Sequence, residues 1–533
     1  MCGIGLAIRT IPKSHSGSAG PLDQQPGTTQ KVSEIDESIG HAISPRGPDF
    51  QAQETRVISD ASAHLDIEIK FFASVLHLRG LALTQQPISA PDTGNLLLWN
   101  GEVFDGLPLS DVENDGQAVL KALEDRGNKT IPEVFLGIEG PYAFIYYDSL
   151  SKQIWFGRDP LGRRSLMKLE NEKDIPHRSL ISVASHYEGR TALLSSELAT
   201  HSLFCVELKD VEDLCILPIA RGSPPILLNR QIPLEADRVP PSGQSPPSLI
   251  TASGRLRDNL INVAFENPRA ASNSRRNNQP VIPDIFSVPD RHTGEESWKE
   301  LCQLTPGRTW RFVKVDVWMK DYLKYKDQII ELMWPNDTVM DLSIAAALFF
   351  AAWGVGSCRL DPDSDQVTQS YRSPARVFLS GLGADELLGG YSRHRSAFSS
   401  ASPWINLIQE LQLDIDRIPT RNLGRDDRII AHHGREVRYP FLDRDVIDTL
   451  AGLPVHLKCD LALEKGTGDK LLLRVLAREL GLSQASKLVK RAIQFGARSA
   501  KLEGLEKGTA GLQPRGVSSS TLDMDVRCPP RCI

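Results

Sequence analysis

Cys2 directly follows the initiator Met1, so removal of Met1 would make this cysteine the first residue of the mature chain. An α-amine has a reference pKa of about 7.7–8.0, close to the value of about 8.5 for a cysteine thiol. The amine can therefore accept the thiol proton at neutral pH, and the sulfur becomes a nucleophile without a histidine. Taken alone, however, Cys2 is more simply interpreted as an ordinary cysteine in a strand.

Three further positions in the first 115 residues carry groups that bind carboxylates, oxyanions or ammonium ions. Arg46, in the segment Arg46-Gly-Pro-Asp49, can hold a carboxylate bidentately, although a single arginine more often forms a surface ion pair. Asn100 and the N–H of Gly101 can stabilise an oxyanion, although Asn-Gly after a strand is also a common turn. Asp115 can bind an ammonium group or cap the helix that follows.

These motifs occur in a specific order, which decides between the interpretations. The order MCGI, RGPD, LWNGE and an acid that opens a helix resembles the glutaminase domain of class II glutamine amidotransferases, an N-terminal-nucleophile fold with αββα layers. The resemblance covers nearly all of residues 2–200. Further matching segments are His77-Leu-Arg79, Gln86-Pro87 and Gly157-Arg-Asp-Pro-Leu-Gly-Arg-Arg164.

The resemblance implies a role for each matching residue. Cys2 would attack the side-chain amide of glutamine, with its own α-amine as general base. Asn100 and Gly101 would stabilise the tetrahedral oxyanion, and a γ-glutamyl thioester would yield glutamate and ammonia. The residues that would hold glutamine are Arg46 for the α-carboxylate and Glu102 and Asp115 for the α-ammonium.

The second half of the chain carries its own set of motifs. A resemblance to the synthetase domain of asparagine synthetases rests on Ser380-Gly-Leu-Gly-Ala-Asp-Glu-Leu-Leu-Gly-Gly-Tyr391, Ser392-Arg-His-Arg395, Glu436-Val-Arg-Tyr-Pro-Phe-Leu-Asp443 and Gly468-Asp-Lys-Leu-Leu-Leu-Arg474. The eukaryotic branch called asparagine synthetase domain-containing protein is similar also at Leu260-Ile-Asn-Val-Ala-Phe265, Val288-Pro-Asp-Arg291 and Arg421-Asn-Leu-Gly-Arg-Asp-Asp-Arg428. The resemblance implies an α/β ATP-pyrophosphatase-like domain that uses ATP and Mg²⁺ to convert aspartate to a β-aspartyl adenylate, from which ammonia displaces AMP.

Two departures from that family concern the binding of ATP and the aspartate chemistry. The family holds the phosphates with an SGGxDS loop between a strand and a helix, where backbone N–H groups bind anions. At this position the chain reads Leu249-Ile-Thr-Ala-Ser-Gly-Arg-Leu-Arg-Asp258, and its one Gly-Gly pair, Gly389-Gly390, belongs to a later motif. Leu382 also replaces a glutamate of the family. We therefore expect the strand, the phosphate loop and most of the following helix to be missing, which would leave neighbouring strand edges unpaired.

The remaining candidates for the nucleotide and intermediate site lie in the later motifs. They are Ser380, Gly381, Gly383, Asp385, Glu386 and Lys470.

Periodicity predicts the elements that position these residues. Short apolar or β-branched runs between turn residues predict strands at 2–8, 71–78, 96–99, 142–147, 153–157 and 192–196. Helical spacing predicts helices over Asp115–Arg126 and Met340–Trp353. Trp310–Val317 and Arg376–Leu379 are predicted strands, and the second runs into a glycine turn of the kind at which open α/β sheets bind ligands.

The fold class is therefore α/β (α+β), in more than one domain, because 533 residues exceed a single core. We predict a glutaminase domain at 2–205, a proline-rich linker at 206–255, an asparagine synthase-like domain truncated at its start at 256–505, and a tail at 506–533.

Composition excludes several classes of protein. A net charge of −6 gives no reason to expect a nucleic-acid partner, and the charged segment 421–428 is interpreted as solvated or ion-paired surface. The longest apolar run, 344–356, is shorter than the ~20 residues of a membrane span, and Arg9 interrupts any signal-peptide pattern. The eight cysteines are scattered, and Cys528 and Cys532 lack a second Cys/His pair, so no metal site is expected. We expect a cytoplasmic protein whose partners are glutamine, aspartate and ATP, with its oligomeric state open.

Three interpretations follow from these motifs. The first is an asparagine-synthetase-like amidotransferase with an intact glutaminase half and a degenerate or truncated synthetase half. The second is a catalytically degenerate scaffold that keeps the fold to bind a partner. The third is an amidotransferase with another acceptor, against which the motifs of the second half argue.

Overall fold

The computed structural model describes residues 2–13, 26–59, 64–110, 112–169, 180–209, 214–222, 226–232, 257–267 and 284–502. Most of the predicted linker lies outside these ranges, as do residues 249–256 and the predicted tail with Cys528 and Cys532. Residues 2–232 are called the first half below, and residues 257–502 the second half.

The first half is built from two antiparallel sheets and four helices within the described ranges. Its strands are β1 (Gly3–Pro12), β2 (Phe50–Ser59), β3 (Leu65–Val75), β4 (Ile88–Ser89), β5 (Leu96–Gly101), β6 (Tyr142–Asp148), β7 (Gln153–Arg158), β8 (Met167–Leu169), β9 (Leu180–Ala184), β10 (Ser195–Glu197), β11 (Ser202–Glu207) and β12 (Ile216–Ala220). Its helices are α1 (Pro26–Ile43), α2 (Asp115–Glu124), α3 (Ile131–Leu136) and α4 (Gly189–Leu193). The strand orders are β10-β8-β9-β1-β3-β2 and β12-β11-β7-β6-β5-β4.

Most of the predicted elements of this half are confirmed. The runs at 2–8, 71–78, 96–99, 142–147 and 153–157 lie on β1, β3, β5, β6 and β7, and the helix predicted from Asp115 is α2. The strand predicted at 192–196 is wrong, because α4 extends to Leu193 and β10 begins at Ser195. Ala192 packs with the helical layer outside the sheet. A short apolar run does not by itself distinguish a strand from a buried helical turn.

The two sheets face each other across an apolar core. Ile4 and Leu6 of β1 lie in one cluster with Leu98 of β5 and Phe156 of β7. Side chains alternate along a strand, so Ala7 of β1 points to the opposite face, where α1 and α4 cover the sheet. Helices α2 and α3 cover the outer face of the second sheet. The first half therefore has four layers in the order helix, sheet, sheet, helix.

The second half combines short sheets with many helices. Its strands are β13 (Arg257–Phe265), β14 (Thr309–Val317), β15 (Val355–Arg359), β16 (Thr368–Arg372), β17 (Val377–Leu379) and β18 (Glu436–Arg438). Its helices are α5 (Pro289–Leu304), α6 (Met319–Met333), α7 (Val339–Trp353), α8 (Ala384–Leu388), α9 (Ser392–Phe398), α10 (Pro403–Arg421), α11 (Leu423–Ala431), α12 (Arg444–Gly452), α13 (Val455–Lys458), α14 (Leu471–Glu479) and α15 (Ile493–Gly496). The predictions for β14, α7 and β17 are confirmed. None of the helices in the described ranges has the length and apolar content needed to cross a membrane.

The strands of the second half form two separate sheets. One has the order β13-β14-β15-β16, with β13 and β14 parallel, and the other is the parallel pair β17-β18. In the part of the chain that the structure describes, β13 and β17 each have a partner on one side only. Leu379, at the end of β17, is 75% exposed. Any open sheet ends in strands of this kind, so the loss of a strand and of the phosphate loop both stay predictions.

The two halves meet at a buried layer of charged side chains centred on α11. Asp427 is fully buried and accepts hydrogen bonds from Arg46 Nη2 at 2.8 Å and from the Ser165 N–H at 3.1 Å. Arg428, also fully buried, donates to Glu197 at 2.6 Å. The interpretation of 421–428 as surface is therefore wrong, although its charges are ion-paired. The sequence pattern of interleaved charges is the same whether the side chains are surrounded by water or by a facing domain.

We expect Asp427→Ala to lower the free energy of unfolding by about 3–5 kcal/mol, because removing one partner of a buried ion pair leaves the other charge buried without it. The measurement is urea unfolding followed by circular dichroism. Asp448→Ala is the matched control, because Asp448 is exposed and lies 3.9 Å from Arg444. An exposed pair of this kind contributes little. Equal losses in the two variants would contradict the buried charge layer.

Candidate active site at Cys2

The thiol of Cys2 lies just before β1 and next to the end of β5 in the facing sheet. The Cys2 N–H donates to Asn100 Oδ1 at 3.1 Å, and Gln86 Nε2 donates to Cys2 Sγ at 3.3 Å. The Gln86 amide is itself fixed by the backbone of Trp99, through bonds of 2.9 and 2.8 Å. Burial raises the pKa of the Cys2 thiol. The sulfur is therefore protonated at neutral pH and needs a base before it can attack.

A small pocket opens beside this thiol. Its volume is about 30 Å³, roughly the space of one water molecule. The lining residues are Cys2, Val75, Leu76, His77, Leu78, Arg79, Thr84, Gln86, Trp99, Gly101, Glu102, Asn114 and Asp115.

Asn100 and Gly101 end β5 next to Cys2, and of the two only Gly101 is among the residues that line the pocket. Asn100 is fully buried, and while its Oδ1 accepts from Cys2, its Nδ2 has no hydrogen-bond partner among the described residues. A buried donor left unsatisfied costs about 1–3 kcal/mol, so such a group next to a nucleophile is available to a ligand oxygen. A Cβ atom at Gly101 would lie 2.6 Å from the Pro141 carbonyl oxygen, so glycine is required there.

Glu102 and Asp115 give the pocket an acidic end. Burial, followed by the carboxylates of Glu436 and Asp115, raises the pKa of Glu102 to about 7. Burial also raises the pKa of Asp115, although its carboxylate accepts from the N–H groups of Val103 and Gly116 at 3.2 and 3.0 Å. The two carboxyl groups form an end of the pocket that suits an ammonium ion.

Asp115 is not the cap of α2. The N-cap is Asn114, whose side chain accepts from the Gln117 N–H. The Asp115 carboxylate is one residue further and lines the pocket. The capping role that the sequence also allowed for Asp115 therefore belongs to Asn114.

The structure does not place Arg46 among the residues that line the pocket. Its buried guanidinium donates to Asp427 of the second half. The arginine that does line the pocket is Arg79, whose Nη1 donates to the Val103 carbonyl at 2.7 Å. Arg79 belongs to a segment that matched the amidotransferases, but nothing in its spacing pointed to a role. Carboxylate binding by Arg46 stays a prediction.

Two charged residues of the second half lie behind the acidic end of the pocket without lining it, and sequence reasoning assigned neither of them to the site. Arg438 lies with its Nη2 3.2 Å from Glu102 Oε1 and its Nε 2.6 Å from Glu436 Oε1. Arg164 Nη2 lies 3.3 Å from Glu436 Oε2. Strand β18 therefore carries charges from the second half to the acidic end of the Cys2 pocket.

The residues predicted for the second site gather around α8. Lys470 Nζ lies 3.1 Å from Asp385 Oδ1, and Lys490 Nζ, which was not predicted, lies 3.6 Å from Asp385 Oδ2. Glu386 accepts from the Tyr391 hydroxyl at 2.6 Å and from the Gly383 N–H at 3.2 Å. The turn before α8 holds the other predicted residues, namely Ser380, Gly381 and Gly383.

Comparison with known proteins identifies the family. A family model of asparagine synthase matches residues 403–486. The chain is 32% identical to asparagine synthetase domain-containing protein 1 of Gallus gallus, over 86% of this chain and 93% of that protein. It is 34% identical to an asparagine synthetase domain-containing protein of Saccharomyces cerevisiae, over 90% of this chain and 92% of that protein. The chain belongs to the asparagine synthetase domain-containing protein family.

The alignments with these and other proteins differ in their extent. The alignment with the Gallus gallus protein runs over 602 positions, more than the 533 residues of this chain, so it contains gaps in this chain. A putative glutamine-hydrolyzing asparagine synthetase of Methanocaldococcus jannaschii is 40% identical over 83 residues, 16% of this chain and 15% of that protein. Among solved structures, the glutamine phosphoribosylpyrophosphate amidotransferase of B. subtilis matches at 14% identity over 41% of this chain and 49% of that chain, with a TM-score of 0.26, which is too low to compare folds.

Proposed function

We propose that this member of the family is a glutamine amidotransferase whose first half hydrolyses glutamine to glutamate and ammonia. The observation that supports it best is Asn100, whose Oδ1 accepts from the Cys2 N–H while its buried Nδ2 has no hydrogen-bond partner among the described residues. The four layers of the first half and the order of its motifs fit an N-terminal-nucleophile fold. The sheet of the first half continues through β11 and β12, so the glutaminase domain predicted at 2–205 is proposed to extend to at least Ala220, and the synthetase-like domain keeps the boundaries 256–505.

The proposed reaction begins once Met1 has been removed. The α-amine of Cys2 accepts the thiol proton, and the sulfur forms a bond to the amide carbon of glutamine. Asn100 Nδ2 and the Gly101 N–H donate to the oxyanion that develops on the amide oxygen. The carbon–nitrogen bond then breaks, the amine returns its proton to the leaving nitrogen, and ammonia departs. Water hydrolyses the thioester, which releases glutamate and restores the thiol.

Binding of the amino-acid end of glutamine involves both signs of charge. Glu102 and Asp115, in their ionised forms, attract the α-ammonium. The α-carboxylate needs a cation, and Arg79 already lines the pocket. Arg46 would have to exchange Asp427 for the substrate, which would cost the buried ion pair at the interface.

Asn100→Ala tests the oxyanion site. We expect kcat for glutamine hydrolysis to fall about 10²–10³-fold with little change in KM, because the lost donor acts on the transition state. Steady-state glutamate release measures this. The matched control is Asn95→Ala, since Asn95 is a buried asparagine that binds Glu124 and Tyr146 away from the pocket. Similar kcat values in the two variants would contradict the proposed role.

The second half is proposed to have lost aspartate activation. The names of the relatives point to asparagine synthesis, for which the family resemblance implies aspartate and ATP as substrates, but Leu382 cannot act as an acid or base. A Mg²⁺ site is not supported either. The Asp385 carboxylate is ion-paired with Lys470 and Lys490. The Glu386 carboxylate accepts hydrogen bonds from Tyr391 and Gly383. No cluster of three possible metal ligands exists among the described residues. No step of the proposal passes through a metal ion.

The alternative function is a scaffold that binds a partner through the second half. The open edges of β13 and β17 and the exposed Leu379 favour it, because unpaired strand edges readily accept another strand. Release of ammonia from glutamine by the purified chain would decide against a purely structural role.

A reducing, cytoplasmic location is also proposed, since Cys2, Cys205, Cys215, Cys302, Cys358 and Cys459 are all free thiols.

A further inference from the structure

Arg438 connects the second half to the acidic end of the Cys2 pocket. Its guanidinium bridges two carboxylates, Glu102 of the first half at 3.2 Å and Glu436 of its own strand at 2.6 Å. Among the residues that the structure describes, Arg438 is the one cation within ion-pair distance of Glu102. Glu102 and Glu436 are buried, whereas the side chain of Arg438 is about one-third exposed. The arginine can therefore move while the carboxylates stay in place.

The charges that face Glu102 come from both halves. Burial, Glu436 and Asp115 raise its pKa, whereas Arg438 lowers it, and the balance lies at about 7. Although burial opposes it, Arg164 and Arg438 hold the pKa of Glu436 below its ordinary value. Glu436 is therefore the fixed negative charge of the pair, and Glu102 is the one whose charge depends on its surroundings.

We propose that Arg438 is a positioning residue of the glutaminase site, which keeps Glu102 ionised and directed toward the α-ammonium of glutamine. This inference rests on the proposed function. In the free protein Glu102 shares Arg438 with Glu436, which also has Arg164, and the ammonium of glutamine supplies a further cation for Glu102. On binding, Arg438 keeps its contact with Glu436 and yields its place at Glu102 to the substrate. Docking of the second half thereby sets the affinity of the first half for glutamine.

A plain tether between the halves is the competing explanation, and another arginine provides the comparison. Arg376, just before β17, donates to both carboxylate oxygens of Asp49 in the first half, with 3.0 Å between Nη2 and Oδ1. Its guanidinium also donates to the His77 carbonyl at 3.2 Å. Arg376 thus ties the halves together as Arg438 does, but it does not contact Glu102. Of these two arginines, Arg438 is therefore the one whose loss should change the ionisation of Glu102.

The experiment measures the affinity for L-glutamine by calorimetry between pH 6 and 9 in a Cys2→Ala background, which cannot turn the substrate over. Glu102 binds the ammonium only when ionised, so we expect affinity to be lost as the pH falls through about 7. Arg438→Gln should move this midpoint upward by about one pH unit or more, because an opposite charge at this distance shifts a carboxyl pKa by 1–3 units. Arg438→Lys should restore most of the shift, and Arg376→Gln should leave the midpoint in place.

Each outcome decides a separate point. Glutamine binding with the same midpoint in Arg438→Gln and its parent would overturn the role of Arg438 and leave the glutaminase proposal standing. No glutamine binding by Cys2→Ala at any pH would overturn both. If Arg438→Gln does not fold, Glu436→Gln tests the same charges with the opposite sign. Loss of that carboxylate should lower the midpoint, and an unchanged value would again overturn the inference.

Discussion

Cys2→Ala is expected to abolish glutamine hydrolysis, with a loss of at least about a thousandfold, because alanine provides no sulfur to form the thioester. The geometry around the residue should survive the change. The bond from the backbone N–H of residue 2 to Asn100 does not involve the thiol. The measurement is glutamate formation from glutamine by the purified chain, and folding is checked by circular dichroism.

A second cysteine and the state of the amino terminus serve as controls. Cys205→Ala removes a buried thiol in β11 that is not part of the pocket, so hydrolysis by this variant should remain close to that of the parent. Mass spectrometry should show that Met1 has been removed, because an α-amine joined to methionine in a peptide bond is no longer a base. Full activity with Met1 retained, or in the Cys2→Ala protein, would defeat the proposed mechanism.

The 533-residue chain is expected to form no detectable asparagine from aspartate and ATP. The phosphate loop of the family is not found in the sequence, Leu382 replaces its glutamate, and Asp385 is engaged by Lys470 and Lys490. The assay measures aspartate-dependent AMP formation. Ammonium chloride replaces glutamine as the nitrogen source, so that a failure of the glutaminase half cannot cause the negative result.

An active asparagine synthetase in the same assay is the positive control. Aspartate-dependent AMP from this chain would show that another segment performs the task of the loop. Genomic or transcript sequence across residues 249–260 provides an independent check. A coding stretch for SGGxDS at that position would mean that a longer form of the chain carries the synthetase activity, and the expectation would then apply to this form alone.

If both expectations hold, the chain produces ammonia but has no means of transferring it to aspartate. The exposed apolar edge at Leu379 would then make the second half a surface for other strands rather than a synthetase. Its remaining effect on chemistry would be through Arg438 and Glu436 at the Cys2 pocket.

The sequence alone could predict features that depend on residues close together in the chain. Short apolar runs between turn residues marked β1 and β5 as strands, and the residues at or beside their ends, Cys2, Asn100 and Gly101, were found with them. The order of motifs supplied the connection between these separate segments. Asp115 was found because an acid at the start of a helix is a local signal, although the cap proved to be Asn114.

The tertiary structure decided the contacts between residues that are distant in the chain. Arg46 pairs with Asp427 rather than lining the pocket, and Arg438 reaches Glu102 from the other half. A charged side chain carries no mark in the sequence of whether water or a facing domain will surround it, which is why the segment 421–428 was assigned to the surface. Local patterns thus determined the strands and drew attention to Cys2. The electrostatic environment of Cys2 depended on how the two halves pack, because Coulomb interactions depend on distance in space and on burial, not on separation along the chain.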